Sequence, residues 1–180
     1  MTDLEFYLNW YNKEAERKAA LENSLNIPVG ILTVTFGADF YLLAHYNYGS
    51  SVYLMNILLL TVVGISFVFS CIATYFLFVS YHGIFKGYID KAFPFATDLR
   101  KHKLDLIDYY QKQAENFPGV SGEDKYEEYL IIKLTEYIDR NVRNNDKKAE
   151  ALYRAKGNIL RAIVCLVVAL VPFILNFFHK

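Results

Sequence analysis

The chain has 180 residues, a length that suits one domain, but 54% of them are apolar against the roughly 45–50% of soluble domains, and 17% are aromatic. Nineteen basic residues balance nineteen acidic ones, so net charge points to no partner, and the only cysteines, Cys71 and Cys165, lie in apolar stretches and exclude a disulfide scaffold. The apolar excess gathers in three windows, 27–46, 54–81 and 159–178, each near or above the roughly 20 residues that cross a hydrocarbon core about 30 Å thick. The chain therefore reads as an all-α integral membrane protein with three transmembrane helices.

Residues 1–26 read as an N-terminal amphipathic helix. Thr2 and Glu5 have the spacing of a capping box, in which each side chain satisfies a free backbone N–H of the first turn, and Leu4, Leu8, Tyr11, Ala15 and Ala19 share one face. That face either rests on the inner leaflet or packs on another helix. Pro28 suits a helix start, where its missing N–H has no helical partner to lose. The first window outruns the roughly 7–15 residues of a signal-peptide core and is expected to stay as a span. A short turn at Gly49-Ser50-Ser51 joins it to the second span, so 27–82 forms a transmembrane hairpin.

Residues 83–157 carry most of the charge and read as a cytoplasmic helical hairpin. Pro94 ends the extension of the second span, residues 98–117 place Leu99, Leu106, Tyr110 and Phe117 in helical order, and Pro118-Gly119 breaks that helix. Ser121 and Asp124 repeat the capping spacing. From 126 to 157 the chain is helix-compatible, with Leu130, Leu134, Tyr137, Asn141, Lys148 and Leu152 on one seam. Only Gly157 and Asn158 separate this helix from the third span in 158–180, which predicts a continuous or weakly hinged rod. No stretch alternates as a strand does.

Orientation follows from lysine and arginine. Lys13, Arg17 and Lys18 precede the first span, none falls between Asn47 and Tyr53, and fourteen fall between Gly83 and Gly157. Cytoplasmic flanks retain positive charge, so the N-terminus and the middle region are expected inside and His179 and Lys180 outside. Tyr46, Tyr48 and Tyr53 bracket the outer turn, and Phe6, Tyr7, Trp10 and Tyr11 suit the inner interface.

Within the spans Asp39 stands out, because a carboxylate at mid-span costs about 2.5–3.5 kcal/mol on insertion scales and must face protein, water or a partner. Thr35 lies one turn before it. In the second span Asn56, Ser66, Ser70, Ala73, Thr74 and Ser80 fall within a sector of about 120°, and in the third Ala162, Cys165, Ala169, Pro172 and Asn176 make a small-residue face. Thr35, Asp39, Ser66, Ser70 and Thr74 are therefore candidates for the lining of a pore. The same spacing also lets helices pack closely, with Asp39 bonded to a neighbour. Such stripes on every span suggest a homo-oligomer. His45, near the outer edge, is assigned no chemistry.

Outside the spans Arg100, Lys101 and Lys103 form a short basic cluster with His102. Lys133, Arg140, Arg143, Lys147, Arg154 and Arg161 share a sector of about 80° on the long helix, with Lys148 and Lys156 nearby. These are candidates for binding a phosphate-bearing ligand, a nucleotide or single-stranded oligonucleotide. Against that reading stand the acidic-to-basic pairs Glu136–Arg140, Asp139–Arg143 and Glu150–Arg154, which stabilise a solvated helix. Tyr109, Tyr110, Tyr126, Tyr129, Tyr137 and Tyr153 suit either base stacking or a helical interface. No phosphate-cradling Gly-rich loop, Cys-x-x-Cys, His-Glu-x-x-His or Gly-flanked serine elbow occurs, so no enzyme activity, cofactor or metal is expected.

The charged N-terminal helix with Trp10-Tyr11, the hairpin opened by Ile27-Pro28 and the helical cytoplasmic region resemble the small membrane effectors of bacterial antiphage defence. The layout is similar to the two-span SLATT-type effectors that accompany nucleotidyltransferases and, with its third span, to the transmembrane effector of the Hailong system. The terminal span departs from the plain two-span pattern. The resemblance implies a homo-oligomeric ion channel in the bacterial inner membrane, gated by a nucleotide or oligonucleotide that a partner nucleotidyltransferase makes, and causing depolarisation and growth arrest. The alternative expectation is a non-conducting membrane scaffold whose cytoplasmic hairpin docks a partner protein.

Overall fold

A computed structural model describes residues 2–49, 53–82 and 92–178. Five helices follow in order, α1 (Asp3–Asn23), α2 (Asn26–His45), α3 (Tyr53–His82), α4 (Ala96–Lys112) and α5 (Gly122–Phe178), and no strand occurs among the described residues. The protein is all-helical. Three of its helical stretches, ending at His45, Tyr81 and Asn176, are long and apolar enough to cross a membrane. Ser50 and Ser51 of the expected outer turn and His179 and Lys180 of the expected outer terminus lie outside the described residues.

The chain divides into two compact units, Met1–Ala19 with Gly87–Asp146, and Ala20–Lys86 with Lys147–Lys180. In the first unit α1 begins on the expected capping box: the Thr2 N–H donates to Glu5 Oε2 at 3.0 Å and the Glu5 N–H to Thr2 Oγ1 at 3.3 Å. No residue of α1 is buried, yet the helix is tied to α5 by polar bonds. Asn145 Nδ2 donates to both the carbonyl and the carboxylate of Glu14 at 2.9 Å, and the Arg17 guanidinium meets Asp146 at 2.6 Å. The hydrogen bond that Arg17 donates to Asp146 raises the Arg17 pKa above its ordinary value. Tyr11 accepts from the Phe93 N–H at 3.2 Å, and Phe93 in turn meets the edge of Tyr137.

Helix α4 ends at Lys112, five residues short of the expected Phe117. The Gln113 N–H still bonds to Tyr109, but the Asn116 and Phe117 N–H groups both turn back to the Gln113 carbonyl, and Phe117 folds onto the Tyr110 ring. The Asn116 amide donates to Gln113 Oε1, and Pro118 follows, whose ring disfavours helical geometry at Phe117. Gly119 then adopts a φ of +80°, a left-handed conformation that favours glycine. Ser121 Oγ accepts from the Glu123 N–H at 3.1 Å and opens α5. At Gly122 the next helix touches α4 so closely that an added Cβ would sit 2.6 Å from Ile107 Cα.

In the second unit α1 passes into α2 through a break at Ser24-Leu25. Pro28 explains it: proline has no N–H to give to the Ser24 carbonyl, and its ring crowds that group. From there buried residues recur at alternating steps of three and four, at Leu25, Pro28, Leu32, Thr35, Asp39, Leu42 and Tyr46. On α3 the same pattern runs through Leu59, Val63, Ser66, Ser70, Ala73, Leu77 and Ser80. A mean step of 3.5 is the period at which two helices keep one seam in contact. On α5 Lys148, Ala155, Ala162, Ala169 and Asn176 are buried at heptad spacing, three alanines between two polar ends, with Leu152 and Ile159 buried beside them. Two apolar clusters fill this three-helix interface, one around Leu32, Ala73, Leu77 and Ala155, the other around Leu42, Leu59, Val63 and Ala169. Helix α5 is unbroken through Gly157 and Asn158, since Asn158 Nδ2 caps the Arg154 carbonyl at 2.8 Å and Gly157 is accommodated without a turn.

Candidate functional site

The polar residues of the second unit form three levels along the seam. At the middle level Asp39 is 1% exposed, and its Oδ2 lies 3.2 Å from Ser66 Oγ, itself fully buried. Ser66 Oγ is also 3.2 Å from the Ala162 carbonyl, so one hydroxyl proton faces two acceptors on two helices. Asp39 Oδ1 has no hydrogen-bond partner among the described residues. One turn along the antiparallel pair, Thr35 donates to the Ile31 carbonyl at 2.8 Å, whereas the buried Ser70 Oγ has no partner among the described residues. The described residues place no cation beside Asp39.

The second level is at one end of the seam. Lys148, with a side chain only 5% exposed, reaches Glu22 at 3.5 Å, and its carbonyl accepts from the buried Ser80 Oγ at 3.0 Å. At the other end Asn176 Nδ2 donates to the Asn47 carbonyl at 3.1 Å. Beyond the seam the span surfaces are apolar: Ile27 and Val34 are each 72% exposed, and Val164, Val167 and Val171 are likewise open.

Of the five candidate pore residues, Thr35, Asp39, Ser66 and Ser70 therefore come together inside one chain, and Thr74 does not. Thr74 is exposed and returns its hydroxyl to the Ser70 carbonyl at 2.9 Å. The candidate ligand-binding cations divide between the units. In the first, Arg100 and Lys101 point outward from α4, while Lys103 turns to α5, 3.6 Å from Glu123 and over the Tyr126 ring. Burial and the neighbouring Tyr129 push the Tyr126 phenol up from its usual value. Lys133 pairs with Glu136 at 3.3 Å, Arg140 is half-buried, and Arg143 is exposed.

In the second unit Lys147 and Lys156 are exposed. Of the three expected pairs at i,i+4, Glu150–Arg154 is closed at 2.6 Å, and Arg154 also lies over Phe76. Arg161 holds Asn158 Oδ1 at 3.2 Å and caps the Phe69 ring. Lys148 differs from its neighbours, because burial against Glu22 removes it from the exposed basic strip. Its seam position was visible in the spacing; its partner on α1 was not. The tie of Asn145 and Asp146 to α1 is a further polar cluster that helical spacing alone does not reveal.

Comparison with protein-family models, with curated proteins and with solved structures returns no match for this chain.

Proposed function

We propose that the three long apolar helices cross a bilayer with the N-terminus on the cytoplasmic side, and that copies of the chain assemble into a pore or ion-channel effector. The observation that carries this reading is Asp39, a carboxylate buried at mid-span with one oxygen shared with Ser66 and the other unbonded. A group so expensive to hold in hydrocarbon, with no cation beside it, favours a role in an ion path over a role in packing. In this reading the described arrangement is closed, and conduction requires α5 to withdraw its Ala162 edge from Ser66. The distribution of lysine and arginine supports the orientation, and the resemblance to antiphage membrane effectors supports gating by a nucleotide or oligonucleotide through the exposed basic residues.

The test is current across planar bilayers holding the purified full chain, with nucleotides or short single-stranded DNA added on the side of the cytoplasmic helices. Ligand-dependent steps that change in size or frequency in Asp39→Ala, with assembly preserved, support the reading. A competing reading, a non-conducting scaffold that docks a protein through its cytoplasmic hairpin, is favoured by one observation. Ser66 and Ser80 both spend their hydroxyls on close contacts to α5. Silence in every condition from folded, oligomeric protein selects the scaffold.

A further inference from the structure

Two adjoining cavities lie along the α2 and α5 faces of the second unit. The larger, about 1050 Å³, runs from Asn26 to Leu42 on α2 and along Ile163, Val167 and Leu170 on α5. The smaller, about 370 Å³, shares Ile27, Ile31 and Ile163 with it and ends at Lys156. Together they form one groove with an apolar floor and a single cation at one end.

The floor is made by absence of side chain. Gly30 and Gly37 are seven residues apart on α2, both line the groove, and a Cβ built at either meets nothing within 4 Å. From Ile27 to Tyr41 the groove is about 21 Å long at 1.5 Å per residue. That exceeds the roughly 15 Å depth of one leaflet of the hydrocarbon core. At its far end Tyr41 stacks on His45 at 4.2 Å and approaches Phe173 at 6.2 Å, which closes the channel sideways. Lys156 is exposed and makes no hydrogen bond or ion pair among the described residues. Every other cation named on this stretch of α5 has a partner or an aromatic ring.

We infer that this groove binds an anionic phospholipid, with its phosphate at Lys156 and one acyl chain along Gly30 and Gly37. The inference rests on the reading that these helices span a membrane. Charge selects the occupant: a second copy of the apolar span would fill the floor but leave Lys156 unanswered, whereas an anionic amphiphile satisfies both ends. A lipid seated between α2 and α5 would also sit against the two helices that hold Asp39 and Ala162.

The experiment is native mass spectrometry of the detergent-solubilised full chain titrated with phosphatidylglycerol or phosphatidylcholine of identical acyl chains. Wild type is expected to retain phosphatidylglycerol preferentially. Lys156→Ala should reduce that preference by about five-fold, the worth of one lysine near an anionic headgroup. Gly37→Leu, which fills the floor, should weaken retention of both lipids, with helicity and oligomeric mass unchanged. Equal retention of the two lipids by wild type, or retention unmoved by both variants, overturns the site. If Gly37→Leu instead splits the oligomer while lipid retention persists, a second copy covers the groove and the lipid assignment falls. Carbonate extraction of membranes from expressing cells separates the two readings. Release of the chain ends both, whereas firm retention without lipid preference ends only the lipid site.

Discussion

Ser80 of α3 donates to the main-chain carbonyl of Lys148 at 3.0 Å, two heptads away on both helices from the contact of Ser66 with the Ala162 carbonyl. Two such bonds in phase set the antiparallel register of α3 and α5. Apolar contacts around them, such as those of Leu77 and Ile159, carry no direction of their own and add packing to that register.

Removing either hydroxyl should loosen that register by a modest amount. Ser66→Ala and Ser80→Ala are each expected to lower stability in detergent by about 0.6–2 kcal/mol, the span of values for hydrogen bonds between membrane helices. Ser66→Val should lower it further, since the added methyl has no room beside a fully buried position. Unfolding of the three variants in sodium dodecyl sulfate, followed by circular dichroism, checks the order.

Lys148 and Glu22 are unequal partners, with side chains 5% and 40% exposed. Burying an unpaired ammonium is costly, whereas Glu22 keeps partial access to water. Glu22→Gln is therefore expected to destabilise more than Lys148→Met, because it takes the carboxylate at 3.5 Å away from a buried ammonium while the methionine replaces that ammonium with packing volume. The double variant should recover most of the loss. A double-mutant cycle on thermal stability reads the coupling, and additive effects would show that the pair contributes nothing.

The hairpin of α4 and α5 rests on Gly122. A methyl group there would lie 2.6 Å from the Ile107 Cα, a backbone atom that cannot swing aside. Gly122→Ala should separate the two helix ends at a cost of about 1–3 kcal/mol, and trypsin should cleave at Lys112 faster than in wild type. Gly119→Ala, strained by its φ of +80° with open space around it, should cost about 1 kcal/mol and change cleavage less.

Helix α1 is held through Asn145, whose amide donates twice to Glu14. Asn145→Ala should free these acceptors and cost about 1–2 kcal/mol. Hydrogen exchange in residues 3–19 is expected to rise, while residues 26–45 stay protected. Unchanged exchange in α1 would mean that the Arg17–Asp146 pair and the Tyr11–Phe93 contact suffice to hold it.

The helical class and the three apolar stretches were legible because hydropathy sums along the chain and needs no knowledge of neighbours. The capping box at Thr2 was legible too, since both partners lie within one turn. What escaped depended on register between helices. The pattern marks Ser66 and Thr74 as members of one polar stripe, yet a seam that steps by three and four buries Ser66 and Ser70 and then Ala73, leaving Thr74 outside. The spacing puts Lys148 on a seam, but its partner Glu22 lies on α1, where helical periodicity of α5 cannot point. Gly30 and Gly37 carry no periodic signal of their own, and only the position of α5 turns them into a groove.

The serine contacts with α5 also bear on how such a chain diverges. Both hydroxyls end on main-chain oxygens, which every residue possesses, so the serines ask nothing of the side chains at 148 and 162; Ala162 answers a demand for small volume, and the Lys148 side chain answers Glu22 instead. Inheritance should therefore weigh unequally on the two helices, with α3 retaining its hydroxyls while position 162 of α5 drifts among small residues. Distant kin of this protein would be better sought by the spacing of serines on the second span than by overall identity.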